Sequence, residues 1–371
     1  MPAQPDARRL RIGSPAGLLA VVPHLLGFTP DHSFIIIGAR GSGLRIGVTL
    51  RYDLPDPPSQ PAAIEIAAHA VAVLTAQRFT TAVAVGYGPG LLVTPLADAI
   101  RHAITGAGLH LRDVLRVEGG YYWSYLCTNP ACCPAEGVRF QTGTDPASVV
   151  MTVTSAQPVL ASRDQLAATI APVTGTAGEV MGRDTARAQR IAARLIARAM
   201  AVGGSGRPVI EHGLKAVQAA ITTYQNGGTI ELASRFAWLT VTLTQLWVRD
   251  DAWARMDPAH ARAHQRLWAD LTRNAQPGYI AAPASLLAFT AWQTCNGALA
   301  NLALDRALAD TPGYSMAQLL REVIDAGAAP SLAVLPMTPE QVAASYGDTP
   351  GPGQAGQPHS GASGVGDDHA H

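Results

Sequence analysis

The feature that most restricts the fold is a change of pattern along the chain. Between Phe34 and Leu126, short apolar or aromatic runs alternate with stretches of helical period, and beyond Asp145 the strand signals fade. Residues 34–37 read as a strand, residues 38–43 as a turn and residues 44–50 as the returning strand of a hairpin. A helix over 62–77, a strand over 82–85, a helix over 91–105, a strand over 112–117 and an aromatic strand over 121–126 follow. That alternation implies parallel pairing through right-handed crossovers, with an antiparallel hairpin at one or both margins. Before it, Ser14-Pro15 has the form of a helix start, and the helix is expected to bend or end at Pro23.

Asp145-Pro146 and residues 162–164 also look like helix starts, although residues 149–154 are β-branched. Residues 172–182 resemble a linker, and helices are expected at about 184–202, 209–224, 230–248, 258–274, 283–295, 298–309 and 315–326. The tail from Gly347 is Gly, Pro, Ser, His and Asp with little to bury. The expected architecture is an α/β N-terminal domain (1–171) with a mixed, partly parallel sheet, a linker (172–182), an all-α helical domain (183–346) and a disordered tail (347–371). Each half is expected to bury its own core.

Composition removes several chemistries. With 27 Lys plus Arg against 27 Asp plus Glu, the chain carries no net charge, which argues against a general nucleic-acid or membrane-surface binder. Lys215 is the lone lysine, so no G-x-x-x-x-G-K-[ST] phosphate loop exists, and neither H-E-x-x-H nor G-x-S-x-G occurs. Pro23 and His24 interrupt the apolar run 16–28, and no A-x-A site follows, which argues against a signal peptide. The longest uncharged window, 274–304, contains Pro277, Pro283, Gln293 and Asn296 and reads as buried helix rather than a membrane span. A cytoplasmic protein with reduced thiols is expected.

Candidate sites are few. Cys127, Cys132 and Cys133 form a C-x4-C-C cluster around Asn129-Pro130, directly after two tyrosines and a tryptophan. Such a cluster packs a tight turn, carries thiol chemistry, or binds metal with a fourth ligand from elsewhere, His102 or His110 being candidates. Gly86, Gly88 and Gly90 punctuate a loop between a strand and a helix, where backbone N–H groups can hold an anion; the spacing is not the dinucleotide fingerprint, and a tight turn needs glycines too.

Arg183, Arg187, Arg190, Arg194 and Arg198 share one helix face, with Ala188, Ile191, Ala192, Leu195 and Ala199 on the buried side and Glu179 in position to pair with Arg183. That face is either solvated or meets an acidic or anionic partner. Asp257, His260 and His264 could present a metal triad, although Asp257-Pro258 suits an N-cap followed by a first-turn proline, and two exposed histidines on a helix are unremarkable. Trp292, Ala298, Ala303, Ala307 and Pro312-Gly313-Tyr314 suit an αα-hairpin reminiscent of one tetratricopeptide unit.

Three blocks, SPAGLLAVVPHLLGFTPDHSFIIIG, YYWSYLCTNPACCP and LLAFTAWQTCNGALANLALDRALADTPGYSMAQLL, resemble a bacterial family, the domain of unknown function 4192 family. The resemblance runs from about Arg11 to Pro336 and implies a soluble cytoplasmic protein with this domain order; it brings no activity, cofactor or catalytic residue. The leading expectation is a ligand- or partner-binding or scaffold protein without catalysis, meeting a protein or anionic partner through the helical domain. The rival is an enzyme built on the cysteine turn or the glycine loop.

Overall fold

A computed structural model describes residues 14–40, 45–140, 159–330 and 337–347. The expected helix start at 145–146, the β-branched run 149–154 and the tail beyond 347 lie outside the described residues.

Helix α1 (Pro15–Leu26) opens where Ser14 Oγ accepts the Gly17 N–H at 3.1 Å. It does not stop at Pro23: it runs on to Leu26 and closes on Gly27, whose left-handed φ of 80° lets its N–H reach Pro23 O at 2.8 Å. Strands β1 (Ser33–Arg40), β2 (Arg45–Asp53), β3 (Thr81–Tyr87), β4 (His110–Glu118), β5 (Tyr121–Ser124) and β6 (Val138–Arg139) form one sheet in the order β2-β1-β3-β4-β5-β6. Helix α2 (Gln60–Ala76) follows β2, and α3 (Gly90–Gly106) follows β3.

The sheet is mixed and partly parallel, as expected, but the place of β1 is not what the alternation implied. Among the described strands β3 and β4 alone pair in parallel, and β1 lies antiparallel between β2 and β3. The reason is burial: Ile35, Ile36 and Ile37 are all buried, so β1 needs a neighbour on each side and cover on both faces, whereas half-exposed β2 tolerates the margin.

Face alternation then divides the packing. Phe34, Ile36, Ala84 and Val114 meet Ala67, Ala70 and Leu74 of α2 and Val93, Leu96 and Ile100 of α3. Ile35, Ile37, Val85 and Leu115 face the other way, toward Leu19 and Val22 of α1. The core on this second side does not stop at the sheet. It continues into the helices behind, so separate cores for the two halves are not what the chain builds.

Those helices are α4 (Arg163–Ala168), α5 (Gly175–Ala201), α6 (Arg207–Gln225), α7 (Ala233–Thr242), α8 (Leu246–Ala254), α9 (Ala261–Asn274), α10 (Ala281–Gln293), α11 (Gly297–Asp310), α12 (Ser315–Asp325) and α13 (Pro339–Gly347). Helix α5 begins at Gly175, inside the stretch expected to be a linker. The helix expected over 230–248 is two: the chain breaks after Thr242, and α8 starts at Leu246. Around that break Thr240, Thr242 and Thr244 turn their hydroxyls onto backbone carbonyls, with Thr244 Oγ1 donating to Val241 O at 2.8 Å. Segment 159–171 ties front to back: Leu160 exchanges hydrogen bonds with Gly27 O and Thr29 N, and the Arg306 guanidinium of α11 donates to Ile170 O.

Candidate functional site

Two places on the sheet gather polar groups. The first is the turn that leaves β5. Ser124 Oγ donates to Asp113 Oδ1 at 2.7 Å and accepts the N–H groups of Leu126 (3.1 Å) and Cys127 (3.0 Å). A carboxylate on β4 thereby fixes where Cys127 begins its turn. Further on, Asn129 O accepts the N–H groups of Cys132 (3.2 Å) and Cys133 (2.9 Å), folding both residues back toward Cys127. Trp123 Nε1 closes the far side on Ala135 O at 3.0 Å. Gly137 has φ of 87° and would drive a Cβ to within 2.5 Å of the Trp123 ring, so only glycine fits there.

The result brings all three expected thiols together: their sulfurs lie within 4.8 Å of one another, and Cys127 Sγ is 3.2 Å from Cys132 Sγ. All are free thiols. Hydrogen bonds from Cys133 and Cys132 pull the Cys127 thiol below its ordinary pKa, and the Cys127 hydrogen bond in turn pushes Cys133 up to about 12. Neither His102 nor His110 joins the group, and no described histidine or carboxylate does. Both histidines are exposed, on α3 and at the start of β4. Cys295 stands apart, after α10.

The second place is a crevice of about 730 Å³ at the carboxyl ends of β3 and β4, lined by Leu19 and Pro23 of α1, Asp31, His32, Tyr87, Gly88, Pro89, Glu118 and Phe140 among others. This is the end of an α/β sheet where ligands settle. Gly86 lies inside β3 beneath Val93, Gly88 lines the crevice and Gly90 opens α3, so of the three expected glycines only Gly88 borders it. The Arg116 guanidinium lies over Gly90, in space that a side chain there would share only if the guanidinium moved aside. Helix α3 has no side-chain cap and no acidic residue in its first turn, so its N-terminus is electrically open. Arg116 is 3.5 Å from Glu118, and His32 pairs with Asp31 at 3.1 Å. Tyr87 is the unexpected member: its hydroxyl is buried without a hydrogen-bond partner among the described residues, and burial pushes its pKa well up.

A second cleft, of about 570 Å³, runs between β2 and α10–α12, but its polar groups are largely satisfied within the protein. Arg321 pairs with Asp305 at 2.6 Å and donates to Asn301 Oδ1 at 2.9 Å, and Tyr52 meets His69 Nδ1 at 2.7 Å.

The other sequence candidates separate. All five arginines of α5 are exposed, and none forms an ion pair among the described residues, so the pairing of Glu179 with Arg183 is absent. On the opposite side Ala188 and Ala192 are buried, but Ile191 is exposed: the last turns of α5 extend past their neighbours. Asp257 caps a short turn (Pro258–His260), accepting the Ala259 N–H at 2.9 Å and pairing with His260 at 2.9 Å. His264 is not the exposed histidine expected. It is buried, its Nε2 accepts the Asp257 N–H at 3.3 Å, and its Nδ1 has no partner among the described residues. One imidazole nitrogen spent on a backbone N–H leaves no shared metal triad.

Sequence reasoning missed Tyr87, Asp113, Ser124 and Arg116. Asp113 carried a signal: it shares the parity of buried Leu115 and Val117, and a carboxylate at an inward strand position needs a reason.

The fold and these sites define an α/β protein with a thiol-bearing turn on one side of its sheet and an open crevice at the strand ends, continued by a helical portion. Among the described residues no helix is long and apolar enough to cross a membrane. The chain belongs to the family described as Domain of unknown function (DUF4192), which matches residues 15–331. Comparison with curated proteins and with solved structures finds no match.

Proposed function

We propose that this is a binding protein without catalysis of its own, acting in the cytoplasm, with a small polar ligand held in the crevice at the ends of β3 and β4. The observation that carries the reading is that Tyr87 lines that crevice while its buried hydroxyl has no hydrogen-bond partner among the described residues. An unsatisfied buried hydroxyl costs roughly 1–3 kcal/mol, so a ligand supplying an acceptor recovers that cost on binding. The uncapped N-terminus of α3, whose N-cap Pro89 lines the crevice, favours a carboxylate or phosphate as that acceptor. The exposed, unpaired arginines of α5 are the surface for an acidic protein partner.

A thermal-shift panel of small carboxylates and phosphates tests the reading. A compound that raises the melting temperature of the wild type, and does so much less for Tyr87→Phe, supports it. A panel with no stabilising member, or one whose effect ignores Tyr87, ends it. Conversion of a bound compound into product would instead favour the enzyme reading.

A further inference from the structure

The three-thiol turn does not belong to the crevice. Asp113, which anchors the turn, lies in the first half of β4, whereas Glu118 at the crevice is the last residue of that strand. We propose that Cys127, Cys132 and Cys133 form a zinc site with three protein thiolates and a fourth, solvent-facing position.

Geometry is the first support. Zinc–sulfur bonds of about 2.3 Å in a tetrahedron set sulfur–sulfur edges of about 3.8 Å. The three sulfurs already lie within 4.8 Å of one another, with the closest pair at 3.2 Å, so one ion is accommodated by sub-ångström shifts of the side chains. Packing alone explains this poorly. Small thiols used as core filler are buried, but Cys132 is exposed and Cys127 and Cys133 are only half-buried.

The backbone is the second support. Adjacent cysteines seldom point at one centre in an extended chain. Here both N–H groups converge on Asn129 O, which winds 129–133 into a helical turn and carries the two sulfurs to the same side as Cys127. Asn129 Oδ1 also accepts the Ala131 N–H at 3.0 Å. The hydrogen bonds that set the backbone of the turn come from Asp113, Ser124, Trp123 and Asn129. The sulfurs add only long contacts of their own, Cys127 Sγ to Cys132 Sγ at 3.2 Å and Cys132 Sγ to Asn129 O at 3.6 Å, which a metal ion would replace.

The donor set is the third. No described histidine or carboxylate completes the cluster, so its three sulfurs are the only such donors gathered there. A borderline-soft divalent cation suits them, displacing up to three protons to solvent as three S–H bonds are exchanged for three S–Zn bonds. With three protein ligands the fourth position takes water or an incoming donor, the arrangement of an exchangeable rather than a closed site. The exposure of Cys132 leaves that side open.

The test uses the full chain, prepared under reducing conditions, stripped of metal, then titrated with Zn²⁺ and in parallel with Co²⁺ as an optical probe. The expected result is one zinc per chain, a thiolate-to-cobalt charge-transfer band, and a rise in melting temperature on zinc addition. Cys127→Ser, Cys132→Ser and Cys133→Ser should each lose the band, while Cys295→Ser keeps it. Cys132 is exposed, so its substitution is the least able to disturb folding, and circular dichroism verifies each variant. A reduced, folded wild type that takes up no stoichiometric zinc, or a Cys132→Ser protein that binds zinc as the wild type does, overturns the proposal. A carboxylate or phosphate that stabilises the zinc-free protein leaves this site untouched, so the two readings fail separately.

Discussion

The guanidinium of Arg116 lies 3.9 Å from the ring centroid of Trp123. The stack ties the head of α3 to the thiol turn, because Arg116 also lies over Gly90 and Trp123 Nε1 donates to Ala135 O. Cation–π contacts of this kind contribute about 0.5–2 kcal/mol.

Trp123→Phe keeps an aromatic face for Arg116 but removes the indole donor to Ala135 O. A loss of about 1 kcal/mol is expected, with the turn loosened more than the sheet. Urea unfolding gives the stability change, and hydrogen exchange at Cys132 and Cys133 locates it.

Asp113→Ala withdraws the acceptor of the Ser124 hydroxyl and of the Val114 N–H. Because Ser124 sets the start of the cysteine turn, zinc affinity is expected to fall by about tenfold, with the three thiols still present. Competition with a chelator of known affinity measures the change; unaltered affinity would make Asp113 a purely structural residue.

Tyr87→Phe is expected to leave the ligand-free protein as stable as the wild type, or more stable by up to about 1 kcal/mol, since it deletes a hydroxyl that has no partner. The same substitution should weaken any crevice ligand. Opposite signs for stability and binding are the signature, read by melting curves with and without ligand.

His264 gives a pH dependence with a definite sign. Burial lowers its pKa from 6.5 to about 4, with Asp257 pulling upward and His260 downward. Above about pH 6.5 both folded and unfolded states hold it neutral. As pH falls toward 4 only the unfolded chain takes up the proton, so stability declines, by up to roughly 3 kcal/mol in total at about 1.4 per unit. Urea midpoints from pH 7 to 4 should show this slope in the wild type and a shallower one in His264→Gln.

How much of this was readable in advance depends on whether a signal is local. Ile35–Ile37, the glycine loop and the helical periods behind Gly175 act through neighbours in sequence, so element types were largely legible. Strand order was not. Nothing near Phe34 states that its strand lies between β2 and β3; only the demand for burial on both faces does, and that demand is settled by tertiary partners. The thiol turn was visible as three cysteines, but convergence rests on Asn129 O and on Asp113, eleven residues before Ser124. Tyr87 looked like one more residue of a turn because an unpartnered hydroxyl has no sequence pattern. His264 looked exposed because helical spacing alone does not say which side another helix covers.

The apolar core that passes from the α1 side of the sheet into the rear helices sets how the molecule comes apart. A chain severed near residue 171 would strip cover from Leu166 and Ile170 and break the Arg306 contact to the Ile170 carbonyl. Front and back are accordingly expected to melt in one cooperative transition, and fragments expressed alone to aggregate where the whole chain remains dispersed.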